Sequence, residues 1–390
     1  MTLPMAAMDS LVIAEPNETA ENYLVISAHD YRSPRKAGIH FVTDELKKRG
    51  STRFFSVRYS NLSKYTEDPR LSLDAQANKI THHEGVECYL WKTLIHPVNT
   101  RRAWLRAPEA LVYSWYARGE NNTFQKWVRE ATVILLESGI SPIFFDTIKK
   151  LNPTAKIVYR VSDTLQAINA GHFVTKTFDR VAPQIDTIVL ISKHLADSVP
   201  SDHNLAYCPQ GIDPALMNEG DPSPYNGGKH AVSVGSMLFD PNFFVIASRL
   251  FPDVHFHIIG SGHGRHPNYG DNVSVYGEMP FALTLRYIKH ADFGIAPYYS
   301  NALPVYLRET SLKLIQYDFF RVPAVCPKFI AADYAGRFGY TIGDEKSIER
   351  AITLALTTPR TTGSLPHLNW NEVVDRMLAP QKYSDTEVTA

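Results

Sequence analysis

The sequence predicts an α/β protein built from two Rossmann-like, parallel-sheet units that face each other across a cleft. Three observations carry that expectation. Short apolar runs alternate with amphipathic stretches, which is the order that βαβ units require. The alternation stops at 209–229 (PQGIDPALMNEGDPSPYNGGK), where Gly, Pro, Asp and Asn crowd together as in a linker. It then resumes without repeating the earlier sequence. A chain of 390 residues also exceeds one ordinary core, so two domains are the expected division.

Taken in order, residues 1–21 are acidic, carry two prolines and show no periodicity, and are read as a flexible start. An N-terminal unit over 22–210 follows, with the runs YLVIS, GIHFVTDELKKRG, FFSVRY, CYLWKT, TVILLES, SPIFFDTIKKLN, KIVYRVS, HFVTKTFDRVAPQI and TIVLIS. A second unit over 211–365 holds HAVSVGS, NFFVIASRLFP, VHFHIIGSG, VSVYGEM, FALTLRYIKHA, FGIAPYY, SLKLIQYDFF and PAVCP. Residues 347–358 and 369–379 read as closing helices, the second with Asn369 as its N-cap, and 366–390 is taken as a closing segment. In open parallel sheets ligands bind beyond the carboxyl ends of the strands, so the candidates sit in the loops that follow strands.

Composition narrows the function. A hydrophobic content of 44% excludes a chain dominated by disorder. Lys plus Arg equals Asp plus Glu at 40 each, so no overall field favours nucleic acid. Within 31–118, however, sixteen basic residues face eight acidic ones, which points to an anionic partner for that part. Cys88, Cys208 and Cys326 are too scattered for a disulfide framework or a CxxC metal pattern, and fit a reducing compartment. No run approaches the 18 or so apolar residues that span a bilayer, and no signal-peptide pattern opens the chain, so the expectation is a cytoplasmic protein that at most lies on a membrane.

On the second unit, two Gly turns follow apolar strands: VGSM at 234–237, with Met237, and GSGHG at 260–264. Backbone N–H groups in such turns can approach phosphate closely, although most are plain connections. ETSLKLIQYDFF (309–320) places Thr310 or Ser311 at a helix start with Lys313 in its first turn. There a cation opposes the helix dipole, a small cost that a bound diphosphate would remove. Glu278, Met279, Tyr298 and Tyr299 end strands and can line a nucleoside pocket, with Glu278 accepting from ribose hydroxyls; singly, each is also an ordinary packing or surface residue.

On the first unit, Asp163, Asp30 and Glu137 each end a strand and are candidates for the base that takes a proton from an attacking hydroxyl. Each is equally a candidate cap, or partner of Arg160 or Arg32. The stretch NTRRAWLRAPEALVYSWYAR (99–118) mixes Arg101, Arg102, Arg106 and Arg118 with Trp104, Leu105, Tyr113, Trp115 and Tyr116. It suits either an anionic lipid interface or an amphipathic helix facing its own core. Arg32, Arg35 and Lys36, in the basic turn HDYRSPRKAG (29–38), are further candidates for lipid headgroups or a lipid diphosphate.

Several segments together resemble one family. HDYRSPRKAGIHFVTDELKKRGSTRFFSVRYS, YRVSD, VGSMLFDPNFFV, HIIGSGHGRHPNYGDNVSVYGEM, YIKHADFGIAPY and SLKLIQYDFF are similar to the GumK-type glucuronosyltransferases of xanthan-type exopolysaccharide synthesis, over about Tyr23 to Trp370. The resemblance implies a GT-B fold with an acceptor domain, a donor domain and a final helix returning to the first. It implies inverting, metal-free transfer of glucuronic acid from UDP-glucuronate to the mannose of a polyprenyl-diphosphate-linked trisaccharide, at the inner membrane surface. It puts the family's catalytic base on Asp163, and its UDP contacts on Met237, Glu278, Met279, Tyr298, Ser311, Leu312, Lys313 and Gln316. Leu312 stands where the family has Met, and the match thins beyond Arg337. Beside this reading stand a transferase of the same fold using another UDP-sugar, and a non-catalytic nucleotide-sugar or lipid-binding module. A dinucleotide oxidoreductase is disfavoured, since neither unit has GxGxxG followed by an acidic residue about 20 positions on.

Overall fold

In the computed structural model the described residues are 21–34, 36–66, 68–201, 204–213, 222–300, 303–360 and 367–388. Residues 1–20 of the expected flexible start over 1–21, the middle of the linker at 214–221 and Arg35 lie outside them, while Glu21 instead opens the first strand.

The first series runs β1 (Glu21–Ser27), α1 (Gly38–Leu46), β2 (Gly50–Ser60), β3 (Ile80–His83), β4 (Val86–Thr93), α2 (Arg106–Ala117), α3 (Asn122–Glu130), β5 (Val133–Glu137), α4 (Phe145–Leu151), β6 (Lys156–Val161), α5 (His172–Val181), β7 (Thr187–Leu190) and β8 (Leu205–Tyr207). Its eight strands order as β3-β4-β2-β1-β5-β6-β7-β8, parallel except for the antiparallel β3–β4 pair. The second series runs β9 (Lys229–Val234), α6 (Pro241–Leu250), β10 (Val254–Ile259), β11 (Val273–Tyr276), α7 (Phe281–His290), β12 (Phe293–Ile295), α8 (Leu307–Thr310), α9 (Leu312–Phe319), β13 (Ala324–Pro327), α10 (Lys328–Ala331), β14 (Arg337–Tyr340), α11 (Glu345–Thr357) and α12 (Trp370–Leu378). Its six strands are all parallel, in the order β11-β10-β9-β12-β13-β14.

Both orders reverse at one place, between β1 and β5 in the first sheet and between β9 and β12 in the second. At such a switch point neighbouring loops leave in opposite directions and open a crevice at the strands' carboxyl ends. The central strands are buried on both faces, which explains why they read as unbroken apolar runs rather than alternating ones. Leu24 and Ile26 pack with Phe55, Ile134 and Ile157 on one side, while Val25 packs with Ile39, Val42 and Leu135 on the other.

The placement of α9 follows from one close approach. A Cβ on Gly294, in β12, would lie 2.6 Å from the Tyr317 ring, so glycine lets that ring lie flat on the sheet. The Tyr317 hydroxyl reaches the carbonyls of Val232 and Ile295, 3.1 Å from each, and fixes the start of α9 at the switch point. Helix α12 packs on α1. Trp370 stacks on Phe41 at 5.1 Å, Arg49 meets Asp375 at 2.7 Å, and Asn369 caps the helix in a reciprocal box with Glu372. Gly211 leaves room for the Trp370 ring, since a Cβ there would come within 2.8 Å of it.

Candidate active site

The carboxyl edges of the two sheets meet directly. Tyr306, on the segment that follows β12, donates from its hydroxyl to Asp163 Oδ1 at 3.1 Å, just beyond the end of β6. Beside it, Ser192, beyond β7, donates to Glu309 Oε2 at 2.7 Å, and His194 Nε2 stands 3.7 Å from Glu309 Oε1.

On the second sheet the Gly turns converge. Gly235 (φ 83°) and Gly260 (φ 61°) take left-handed backbone at the ends of β9 and β10, which only glycine adopts without strain. A Cβ on Gly262 would touch Ser236, and one on Gly260 would touch Glu278, so the two turns and the end of β11 form one surface. Glu278 is exposed on it, Met279 is partly buried against the core, and Met237 is 49% exposed. The loops after β9 and β12 are tied together: Tyr299 donates its amide to the Leu238 carbonyl at 2.9 Å, and the Asp240 amide reaches the Pro297 carbonyl at 2.8 Å.

At the start of α9, Ser311, Lys313 and Gln316 are all buried and Leu312 packs towards the cluster that contains Trp370. Lys313 Nζ lies 5.4 Å from the Tyr298 ring centroid. Tyr298 itself is only 1% exposed, and its hydroxyl is 2.8 Å from Ser311 Oγ. The helix that follows covers this strand-end ring, which packs beneath the other expected donor contacts. Its ring underlies Lys313 and its hydroxyl orients Ser311.

On the first sheet the three carboxylates separate by their partners. Asp30 is fully buried with Arg32, at 2.7 Å, and also accepts from Ser56 Oγ at 2.8 Å. Burial alone would raise its pKa, but the Arg32 guanidinium and Ser56 hold it below the usual carboxylate range. Arg32 is thereby removed from the candidate lipid contacts: its side chain is 4% exposed and spends its remaining donors on Gln76 and Thr81. Lys36 also turns inward, over the Tyr31 ring at 5.0 Å. Glu137 is buried between the Ser27 hydroxyl and Arg160, 3.7 Å away, and Arg160 in turn donates to Gln210 at 2.8 Å.

Asp163 is different. Burial pushes its pKa up to about 6, with the Glu137 charge adding to the rise and Tyr306, Arg160 and His29 opposing it. It is therefore a carboxylate that is ionised at neutral pH and more basic than an ordinary aspartate, which is what base catalysis uses. Among the described residues no group of three or more His, Cys, Asp and Glu is arranged to hold a metal ion.

The aromatic, basic stretch divides between its two readings. Tyr113 and Tyr116 of α2 are buried, whereas Arg101 and Arg102 are exposed and Trp104 and Leu111 are 71% and 74% exposed. Arg102 lies over the Trp104 ring at 5.9 Å. Leu94, Ile95, Val98 and Trp115 are exposed as well. No helix among the described residues is long and apolar enough to cross a membrane.

Sequence reasoning missed Tyr306 and Glu309. Their partners lie 143 and 117 positions away, and no local pattern marks a residue for a contact at that range.

A solved E. coli trehalose-6-phosphate protein bound with UDP-2-fluoro glucose superposes with TM-score 0.61 at 10% identity, covering 94% of this chain and 100% of that one. A UDP-forming trehalose-phosphate synthase from Burkholderia xenovorans in complex with glucose-6-phosphate gives TM-score 0.63 at 11% identity, covering 93% and 100%. These likenesses show the GT-B fold alone. The family profile for glucuronosyltransferase GumK, N-terminal domain, matches residues 25–191. A UDP-glucuronate:glycolipid 2-beta-glucuronosyltransferase of Xanthomonas campestris pv. campestris is 54% identical over 366 residues, covering 94% of this chain and 91% of that protein. That identity, along nearly the whole length of both chains, places the chain in the GumK family of glucuronosyltransferases.

Proposed function

We propose that this chain transfers glucuronic acid from UDP-glucuronate to the mannose of a polyprenyl-diphosphate-linked oligosaccharide, with inversion, without a metal, at the inner face of the cell membrane. In this reading 22–210 binds the acceptor, 211–365 binds the donor, and 366–390 closes the two together. The observation that carries it is the Asp163 carboxylate, raised to about 6 and held against the segment that leads into the buried Lys313.

The acceptor hydroxyl oxygen forms a bond to the anomeric carbon while its proton passes to Asp163. The bond from that carbon to the β-phosphate oxygen breaks on the opposite face, and its electron pair leaves with UDP. Lys313 and the backbone N–H groups at the start of α9 stabilise the charge that develops on the diphosphate. Ser311 and Gln316 add polar contacts beside them. Met237, Met279 and Leu312 border the nucleoside, and Glu278 accepts from its ribose hydroxyls. The exposed Trp104, Leu111, Arg101 and Arg102 rest on the lipid surface that presents the acceptor.

The test offers the purified chain a mannosyl lipid diphosphate and, in separate reactions, UDP-glucuronate, UDP-glucose and UDP-galactose. Transfer of glucuronate with inverted anomeric configuration, undiminished by a chelator, is expected. Preference for a neutral sugar would replace the donor assignment and leave the fold and base untouched.

A further inference from the structure

We infer that Tyr306 is a positioning residue for Asp163: its hydroxyl fixes carboxylate oxygen Oδ1 from the opposite sheet edge, leaves Oδ2 to receive the acceptor's proton, and ties the base to the segment that holds the donor diphosphate. This rests on the reading of Asp163 as the base.

The phenol is built to stay in place. Tyr306 is 3% exposed, and its carbonyl accepts from the amides of Glu309 and Thr310, both at 3.1 Å, and from the Thr310 hydroxyl at 3.1 Å. Burial and the neighbouring Asp163 charge push the phenol's pKa upward, so the group is a hydrogen-bond donor at every working pH and exchanges no proton itself. A carboxylate with one oxygen occupied by such a donor keeps a single oxygen for the incoming proton, in one orientation.

The tether is short. From Tyr306 the chain passes Glu309, bonded to Ser192 across the edges, then Ser311, bonded to Tyr298, and reaches Lys313. One turn of helix therefore joins the base, the edge-to-edge contact and the phosphate-binding end of α9. Only the extended residue Ser311 separates this turn from α9.

The groups facing Asp163 are Glu137 at the end of β5, Arg160 on β6, His29 after β1, and Tyr306. Of these, Glu137 raises the pKa and the other three lower it. Replacing Tyr306 by Phe keeps the ring and removes one lowering contact, so the acid limb of kcat moves to higher pH. The expected result is a fall in kcat of about 10- to 100-fold with little change in UDP affinity or melting temperature. Ser192→Ala removes the neighbouring edge contact without touching Asp163 and should leave the limb in place. Asp163→Asn is the control for the base itself. An inactive Asp163→Asn together with an unmoved limb in Tyr306→Phe overturns this inference alone, as does an equal shift in Ser192→Ala. Full activity in Asp163→Asn overturns both this inference and the base reading.

Discussion

The two sheet edges that face each other are built from different materials. The edge of the second sheet is made of backbone: left-handed glycines at 235 and 260, a helix start held down through Gly294, and a single buried lysine. The edge of the first sheet is made of charged side chains buried in pairs, Asp30 with Arg32 and Glu137 with Arg160, leaving Asp163 with a phenol in place of a cation. Backbone dipoles already fixed in place need no reorganisation when a diphosphate arrives. Buried carboxylates have pKa values that their neighbours decide, so similar strand-end positions give Asp30 a lowered pKa and Asp163 a raised one.

If that contrast is right, the largest effect comes from the carboxylate held by a phenol. Asp163→Ala should lower kcat by about 10³-fold or more, measured as glucuronate transferred per enzyme, while UDP still binds. Next, Lys313→Ala should lower kcat by about 10²-fold, because the lysine acts on charge that appears only as UDP leaves. A loss confined to KM would mean that it binds ground state and transition state alike, and would blunt the contrast. Arg32→Ala should leave Asp30 buried and unpaired, lowering stability by about 3–5 kcal/mol in chemical denaturation. Retained stability would show that Asp30 takes up a proton at little cost. The smallest effect belongs to the surface: Trp104→Ser with Arg102→Ser should weaken binding to anionic vesicles severalfold and leave the rate on a detergent-dispersed acceptor unchanged.

These differences also mark what was readable beforehand. Period and punctuation carried the strands of both sheets, the closing helix with its Asn369 cap, and the turns at Gly235 and Gly260, because each depends on residues a few positions apart. Strands β3, β8 and β14 escaped, being short runs with exposed or half-buried residues and no apolar stretch. At the site, Lys313 and Ser311 were legible from helix-start chemistry. The different surroundings of Asp30, Glu137 and Asp163 were not, since they come from Ser56, Ser27 and Tyr306, each brought in from far along the chain. The burial of Tyr298 and Arg32 was hidden for the same reason: exposure at a strand end depends on which later helix or side chain covers it.

The central claim is that Asp163 works as a base whose environment has raised its pKa, and the pH dependence of kcat in the unaltered enzyme tests it most directly. Activity requires the ionised carboxylate, so the rate should fall as pH drops through about 6, the value burial gives Asp163, rather than at the ordinary aspartate value. A limb near pH 4, or a rate flat from pH 7 down to 4.5, would contradict the account and return the base to Glu137.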